Sequence, residues 1–380
     1  MKRPRVKRAH DPVRFPGGRI GIGSVQYGVG AEIQDDTGHI WHALELMDGS
    51  REPEAIIREL QAGPSGLDSG SAREIVEQLC ESGYIEDAGV GFAAEFSGRE
   101  LERYSRNENY FAWVDTTPRD TRFGFQARLR DAQVVVVGLG GSGSAAAASL
   151  VCAGVGHLRC VDFDVIELSN LNRQLIYTED DLGAPKVERA VRRLSRMNTD
   201  VTIEGLEQRI DSVNSAARAI DGMDFAVLCA DTPHPDVQLW TNDAAAGKGM
   251  PWSVCFYAGP TLMTGIFVPG KTPCYRCLVA SGPSPLRDGQ GATGKALYGA
   301  TDINGVISPT AGLAGQFGAL EVIYFLTELR PQTVGRLFHQ NLMIYDHSYY
   351  VTPKASPDCA QCADLASPDT AAQAAVPTTG

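Results

Sequence analysis

The stretch that most limits what this chain can fold into runs from Val134 to Gly143, VVVVGLGGSG. Four consecutive β-branched residues, with no polar alternation, suit a strand buried on both faces, as in a parallel sheet. Gly138, Gly140, Gly141 and Gly143 follow at once, and the almost wholly apolar segment Ser144–Ala153 predicts a helix. A second strand is predicted over Leu158–Val161, which completes a βαβ unit. Glycines in such a turn bring backbone N–H groups close to a phosphate, at a helix N-terminus whose dipole favours the anion. Asp162 ends the second strand, about 24 residues after the first glycine, where a carboxylate can accept hydrogen bonds from ribose hydroxyls. These features alone would also suit a dinucleotide-binding dehydrogenase.

The alternation continues. A helix is predicted over Val187–Met197, strands over Val201–Ile203 and Phe225–Cys229, and an amphipathic helix over Ala319–Leu329. The fold class is therefore α/β, with a Rossmann-like, doubly wound sheet from about residue 125 to about 350. Beyond Asp162 the text departs from a dehydrogenase. Asp162–Gln174 reads DFDVIELSNLNRQ, dense in polar side chains, and Gly183-Ala-Pro-Lys186 precedes a helix. Arg173 can grip phosphate oxygens bidentately, and Lys186 can act as a point charge. Asp231 follows a strand, where an open α/β sheet places its ligands, and a carboxylate there can hold Mg²⁺ on phosphates.

From Val134 to Lys186, with SNLNRQ the most specific element, the chain resembles the ubiquitin-activating-enzyme-like (ThiF/MoeB-like) adenylyltransferases. These include the molybdopterin-synthase and thiamine-pathway adenylyltransferases. The resemblance covers roughly residues 100–365 and implies ATP-dependent adenylation of a C-terminal carboxylate with release of pyrophosphate. It places Asp162 on the ribose, with Asp164 among the nucleotide-contacting residues. Asn170, Arg173, Gln174 and Lys186 surround the triphosphate, and Asp231 holds Mg²⁺. It also implies a homodimer in which an arginine of an R-Y-x-R motif reaches the partner's ATP. Arg103-Tyr104-Ser105-Arg106 fits that motif, so Arg106 joins Arg173, Lys186 and Asp231 as a catalytic candidate. One departure stands out. The text after Asp231 is Thr-Pro-His-Pro, which resembles the microcin C maturation enzyme more than the sulfur-carrier activators.

Cys274-Tyr-Arg-Cys277 and Cys359-Ala-Gln-Cys362 are two C-x-x-C pairs. Together they offer four thiolates for a structural Zn²⁺, and the resembled family carries such a site. A redox role for one pair is the alternative. Between Leu278 and Asn304 there is no cysteine to take a thioester, so the reaction should stop at the adenylate or pass to a nitrogen or oxygen nucleophile. Cys80, Cys152, Cys160, Cys229 and Cys255 have apolar neighbours and read as core packing. His234 and His339 are possible acid–base groups.

Ahead of this region, Arg19–Ile33 reads as short strands or a hairpin. Helices are expected over Ile40–Met47 and Ala55–Leu60, and a third from a capping box at Ser71. Gly83-Tyr84-Ile85 and Gly91-Phe92 suggest a closing hairpin. The pattern implies a small winged-helix-like α+β module over residues 19–97. It resembles the leader-peptide recognition element of enzymes that modify ribosomally made peptides. Such modules take an extended peptide by strand addition, here along Arg19–Ile33 and the helix Ser71–Cys80. A DNA-binding role is disfavoured, because Ser71–Glu81 carries one Arg against three Glu.

The expected layout is thus a flexible basic arm (1–18), the leader-binding module (19–97), an adenylation domain (98–366) and a disordered tail (367–380). A net charge of −12 argues against bulk nucleic-acid or anionic-membrane partners. No stretch approaches ~20 apolar residues, and no apolar run follows the basic start. The odd count of nine cysteines speaks against a disulfide scaffold, and a cytoplasmic setting is expected. Three functions follow: adenylation of a precursor peptide, adenylation of a Gly-Gly sulfur-carrier protein, or peptide binding without catalysis.

Overall fold

A computed structural model describes residues 1–23, 30–63, 66–90, 96–115, 123–281 and 305–366. The chain divides into two compact units, Met1–Arg128 and Leu129–Gly380.

The first unit opens with strands β1 (Pro4–Val6), β2 (Val13–Phe15), β3 (Arg19–Ile22) and β4 (Ala31–Gln34). Helices α1 (His39–Leu46), α2 (Pro53–Ala62) and α3 (Ser69–Glu81) follow, then β5 (Ile85–Asp87), α4 (Gly98–Arg103) and α5 (Ser105–Val114). Helix α6 (Gly124–Asp131) spans the boundary. Strands β2, β3 and β4 form an antiparallel sheet, and Ile20 and Ile22 turn into a core with Leu44, Ile56, Val76 and Ile85. Three helices on a small sheet are consistent with a winged-helix-like module.

Residues 1–18 are not a free arm, which corrects the first expectation. β1 pairs antiparallel with β5, setting Val6 opposite Ile85. Lys7 is buried, its Nζ 2.7 Å from the Asp115 carbonyl and 3.5 Å from that residue's carboxylate. His10 is also buried, with Nε2 3.1 Å from the Ala112 carbonyl and its ring edge-on to Tyr84. A basic, proline-containing segment reads as solvated only while its partners, far along the chain, are out of view. Because Asp115 and Ala112 hold this segment, the compact unit reaches Arg128 rather than ending near residue 97. Two further expectations shift. The cap of α3 is Asp68, whose carboxylate accepts from the N–H groups of Gly70 and Ser71, so the helix starts ahead of Ser71. β5 pairs with β1 instead of closing a hairpin, and Gly91-Phe92 lie outside the described residues, as does the tail 367–380.

Asp87 ties this corner together. Burial alone would raise its carboxyl, but the N–H groups of Lys2, Arg3 and Gly89 outweigh that and hold it below the usual carboxylate range. A lowered folded pKa stabilises the fold above the unfolded value of ~3.9 and loses that contribution as pH falls through the folded value. Asp87→Asn in the full chain should cost about 1–3 kcal/mol near neutrality. It should also flatten the acid side of a urea-midpoint-against-pH curve. An unchanged midpoint at neutral pH would contradict this.

The second unit contains β6 (Gln133–Val137), α7 (Gly141–Ala153), β7 (His157–Asp162), α8 (Lys186–Met197) and β8 (Thr202–Glu207). Then come α9 (Val213–Ala219), β9 (Phe225–Leu228), α10 (Asp236–Lys248), β10 (Trp252–Ala258) and β11 (Thr261–Phe267). The last elements are α11 (Tyr275–Ala280), α12 (Ser308–Leu326), β12 (Leu337–Asn341) and β13 (Ser348–Val351). Among the described residues, eight strands form one sheet in the order β13-β12-β11-β10-β9-β6-β7-β8. The run from β10 through β9, β6 and β7 to β8 is parallel, and β11, β12 and β13 continue it antiparallel. From β6 the chain first winds to β7 and β8 and then returns to the other side at β9. The crevice beyond the carboxyl ends of the strands at such a switch point is where open α/β sheets bind ligands.

The expected amphipathic helix over Ala319–Leu329 is α12, which begins at Ser308 and lacks a polar stripe. Ala311, Ala314, Ala319 and Val322 are all buried. It packs against both α7 and the sheet, so apolar residues occupy most of its circumference. Close approach requires glycine: a Cβ on Gly315 would lie 2.1 Å from the Ser142 carbonyl oxygen. Among the described residues no helix is long and apolar enough to cross a membrane.

Candidate nucleotide site and cysteine cluster

At the switch point lies a cavity of about 260 Å³. Its wall includes Gly138, Gly140, Gly141, Asp162, Asp164, Asn170, Arg173, Gln174, Lys186 and Asp231, residues spread over almost a hundred positions of sequence. Each arrives by the geometry of its element. Gly138 leaves β6 with φ +90°, and a Cβ there would meet the Ala230 backbone nitrogen at 2.6 Å. Asp162 ends β7 and staples the glycine turn. Its Oδ2 accepts from the Leu139 N–H at 2.6 Å, and its Oδ1 from those of Phe163 and Asp164. A carboxylate has about four acceptor positions, so one remains for a ribose hydroxyl.

Two cations face the cavity. Lys186, at the start of α8, is buried, with Nζ 3.0 Å from the Asp164 carboxylate. Arg173 donates from Nη1 to the Ser169 carbonyl and the Asn172 side chain, each at 2.9 Å. Its buried Nε has no hydrogen-bond partner among the described residues, nor has Oε1 of Gln174, a residue only 2% exposed. Buried polar groups left this way are costly unless a ligand or water meets them. Both border the cavity. The unmet Arg173 N–H fits an anionic occupant, and the Gln174 oxygen needs a donor such as a hydroxyl or a water. Asn170 is buried and accepts from the Glu167 N–H through Oδ1. Behind the turn, Tyr177 donates to the Leu139 carbonyl at 3.3 Å. Burial, reinforced by the Asp162 charge, pushes its phenol far above the ordinary value, so it stays a neutral donor.

Asp231 stands exposed just past β9, with Thr232 Oγ1 3.1 Å from its Oδ1. One open carboxylate on the wall of this cavity suits Mg²⁺, which keeps several waters and takes one or two protein carboxylates.

Gly143 does not border the cavity, contrary to expectation. A Cβ there would sit 1.7 Å from the Gly138 carbonyl oxygen, so this glycine serves close packing of α7 on the turn. Arg106 lies exposed on α5 in the first unit, whereas every cavity residue belongs to the second. His234 is exposed and is not part of the wall. His339 stacks on Tyr349 at 4.6 Å, and burial lowers its pKa. Cys160, Cys229 and Cys255 are core residues as expected, but Cys152 is exposed on α7. The cavity also takes in Gln208, Ile210, Val237, Phe256 and Tyr257. The strand-end rule that found Asp231 would have found Gln208 after β8 and Tyr257 near the end of β10.

In the same unit, Cys274, Cys277, Cys359 and Cys362 bring their sulfurs within 4.8 Å of one another. Cys274 and Cys359 sulfurs are 3.6 Å apart, and the Cys274 N–H donates to the Cys362 sulfur at 3.2 Å. Tetrahedral thiolates on bonds of ~2.3 Å have sulfur–sulfur edges of ~3.8 Å. The donor set and its spacing fit Zn²⁺. Burial pushes the Cys274 thiol up to about 11, an added demand on any metal that must hold it as thiolate.

A sequence pattern described as the ThiF family matches residues 104–362. The chain belongs to the ThiF family. In class it is an ATP-dependent adenylyltransferase. The SAMP-activating enzyme E1 of Haloferax volcanii is 33% identical over 267 residues, covering 70% of this chain and 90% of that one. The molybdopterin-synthase adenylyltransferase of Salmonella typhimurium is 31% identical over 265 residues, 66% of this chain and 92% of that one. Among solved structures, E. coli MccB aligns with a TM-score of 0.77 at 20% identity, over 95% of this chain and 97% of its own. The microcin C7 biosynthetic enzyme MccB in complex with N-formylated MccA aligns with a TM-score of 0.72 at 22% identity, over 94% of this chain and 99% of that one. At these identities the MccB likeness establishes the fold. It reaches the first unit, which most of the ThiF match leaves out.

Proposed function

We propose that this ThiF-family protein adenylates the C-terminal carboxylate of a ribosomally made precursor peptide, whose leader is held by the first unit. The observation that carries this reading is the extent of the fold likeness. Similarity to the Haloferax enzyme spans 70% of the chain, whereas MccB, seen with N-formylated MccA, is matched over more than nine-tenths, front unit included. An N-formyl group is what ribosomal initiation in bacteria leaves on a chain. The front unit also offers exposed sheet edges. Every residue of β2 is exposed, and β4 is the other edge of its sheet, so an extended peptide can add as a strand.

In this reading the carboxylate oxygen attacks the α-phosphorus, the bond to the bridging oxygen breaks, and pyrophosphate leaves with the electron pair. The N–H groups at the start of α7 and the charges of Arg173 and Lys186 meet the negative charge that builds on the phosphates. Asn170 and Gln174 fix phosphate orientation, and Asp164 positions Lys186. Asp162 holds the ribose. Asp231 would carry Mg²⁺, which supplies charge neutralisation. In a homodimer, Arg106 would reach the partner's phosphates. The cysteine cluster would hold Zn²⁺ as a structural element.

The test is pyrophosphate release by the full-length protein. A short peptide with a free C-terminus should trigger it, the same peptide C-terminally amidated should not, and Asp231→Ala should abolish it. Release triggered by a Gly-Gly-ending carrier protein and by no peptide would overturn the substrate assignment in favour of sulfur-carrier activation. Peptide binding with no ATP turnover, unaffected by Asp231→Ala, would reduce the chain to a leader-binding partner.

A further inference from the structure

The four cysteines do not meet by their own neighbourhood in sequence. Cys274 and Cys359 are 85 positions apart, and besides the direct bond from the Cys274 N–H to the Cys362 sulfur, a pair of side chains on a third element, α10, joins their two knuckles. Asn242 is 2% exposed. Its Oδ1 accepts from the Tyr275 N–H of the first knuckle at 2.9 Å, and its Nδ2 donates to Gln361 Oε1 of the second at 2.7 Å. Its neighbour Asp243 repeats the bridge. Oδ1 accepts from Arg276 Nε of the first knuckle and from Gln361 Nε2 of the second, each at 2.8 Å. Tyr275, Arg276 and Gln361 are the residues between the paired cysteines, so each bond fixes a knuckle at its turn. Asn242 and Asp243 border a cavity of about 420 Å³ that also reaches Cys274 and Cys362. A small chelator could enter there.

We propose that Asn242 and Asp243 form a latch that holds the two knuckles in register for the metal. They are positioning residues, donating nothing to the ion. An amide and a carboxylate bonded to both sides, once to backbone and otherwise to side chains, hold the two knuckle turns together before any metal is bound. This lowers the entropy lost on coordination and slows the opening through which metal escapes. Outer partners of this kind typically matter by 10–100-fold in metal affinity. The inference rests on reading the four thiols as a metal site.

The experiment uses the full-length protein loaded with Zn²⁺ and a chromogenic chelator in excess. Zinc should leave Asn242→Ala and Asp243→Ala about 10–100 times faster than wild type. Lys248→Ala, on the same helix but paired with Asp221 instead, should match wild type. Gln361→Ala removes a half-buried loop side chain from the same network and should also release faster, which keeps the test sharp if Asn242→Ala does not fold. With Co²⁺ in place of Zn²⁺, the variants should keep the thiolate charge-transfer spectrum of a tetrahedral four-sulfur site but fill it only at higher Co²⁺. Release within about twofold of wild type from Asp243→Ala and Gln361→Ala would overturn the latch while leaving the metal site standing. A wild-type protein that takes up neither Zn²⁺ nor Co²⁺ in stoichiometric amount would overturn both, and would leave the adenylation reading untouched.

Discussion

Lys186→Ala should weaken ATP binding by about 10–100-fold, and Lys186→Arg should restore little of it. The size follows from what the ammonium does. It is buried at the start of α8, 3.0 Å from Asp164, and borders a hollow whose other cation, Arg173, has an unmet N–H. A hydrogen bond to a charged group contributes about 1.5–3 kcal/mol, and each 1.4 kcal/mol is tenfold in affinity. Arginine fails as a substitute because its planar fork needs room and directions that a compact ammonium does not. Calorimetric titration with ATP measures the effect. Losing Lys186 strands no buried charge, since the Asp164 side chain is 49% exposed, so the variant should fold normally. An affinity within about threefold of wild type would remove Lys186 from the phosphate site.

The second large effect is expected at a residue outside the cavity lining. Gly143→Ala places a Cβ 1.7 Å from the Gly138 carbonyl oxygen, and backbone cannot step aside as a side chain can. Either α7 moves away from the turn or the turn deforms. Overpacking of this kind costs about 1–3 kcal/mol or more. In a unit of this size that is about 2–12 °C in thermal midpoint. ATP affinity should fall with it, because Gly138, Gly140 and Gly141 form the cavity wall. Two glycines of α12 calibrate the result. Gly315→Ala meets the Ser142 carbonyl at 2.1 Å and should be similarly harmful. Gly312→Ala meets nothing within 4 Å among the described residues and should be neutral or slightly stabilising, since alanine loses less freedom in a helix. Thermal unfolding of the three variants checks the order. Equal midpoints for Gly143→Ala and Gly312→Ala would show that α7 does not pack as closely as described.

How far the sequence could be read depended on whether the signal was local. Val134–Val137 had to be a doubly buried strand because four β-branched residues in a row leave no polar face, and that one strand fixed the fold class. The spacing of Asp162, Arg173 and Lys186 was likewise local to one βαβ unit, so the cavity wall was legible before any contact was known. What remained hidden involved partners distant in sequence. Residues 1–18 looked solvated because the groups that hold Lys7 and His10 lie on α5 and just past its end. Gly143 looked like part of the phosphate loop because a packing glycine and a binding glycine are the same letter. The extent of α12 was misread because a helix covered on two sides shows no stripe. The cysteine spacing named a metal donor set. Only the tertiary structure brought the two knuckles together, through Asn242 and Asp243, because a bond between side chains 118 positions apart has no periodicity to announce it. Composition and short-range pattern thus determined the class of fold and most of the cavity wall. Packing decided which glycines border the cavity and which serve close packing alone, and what joins the cysteine pairs.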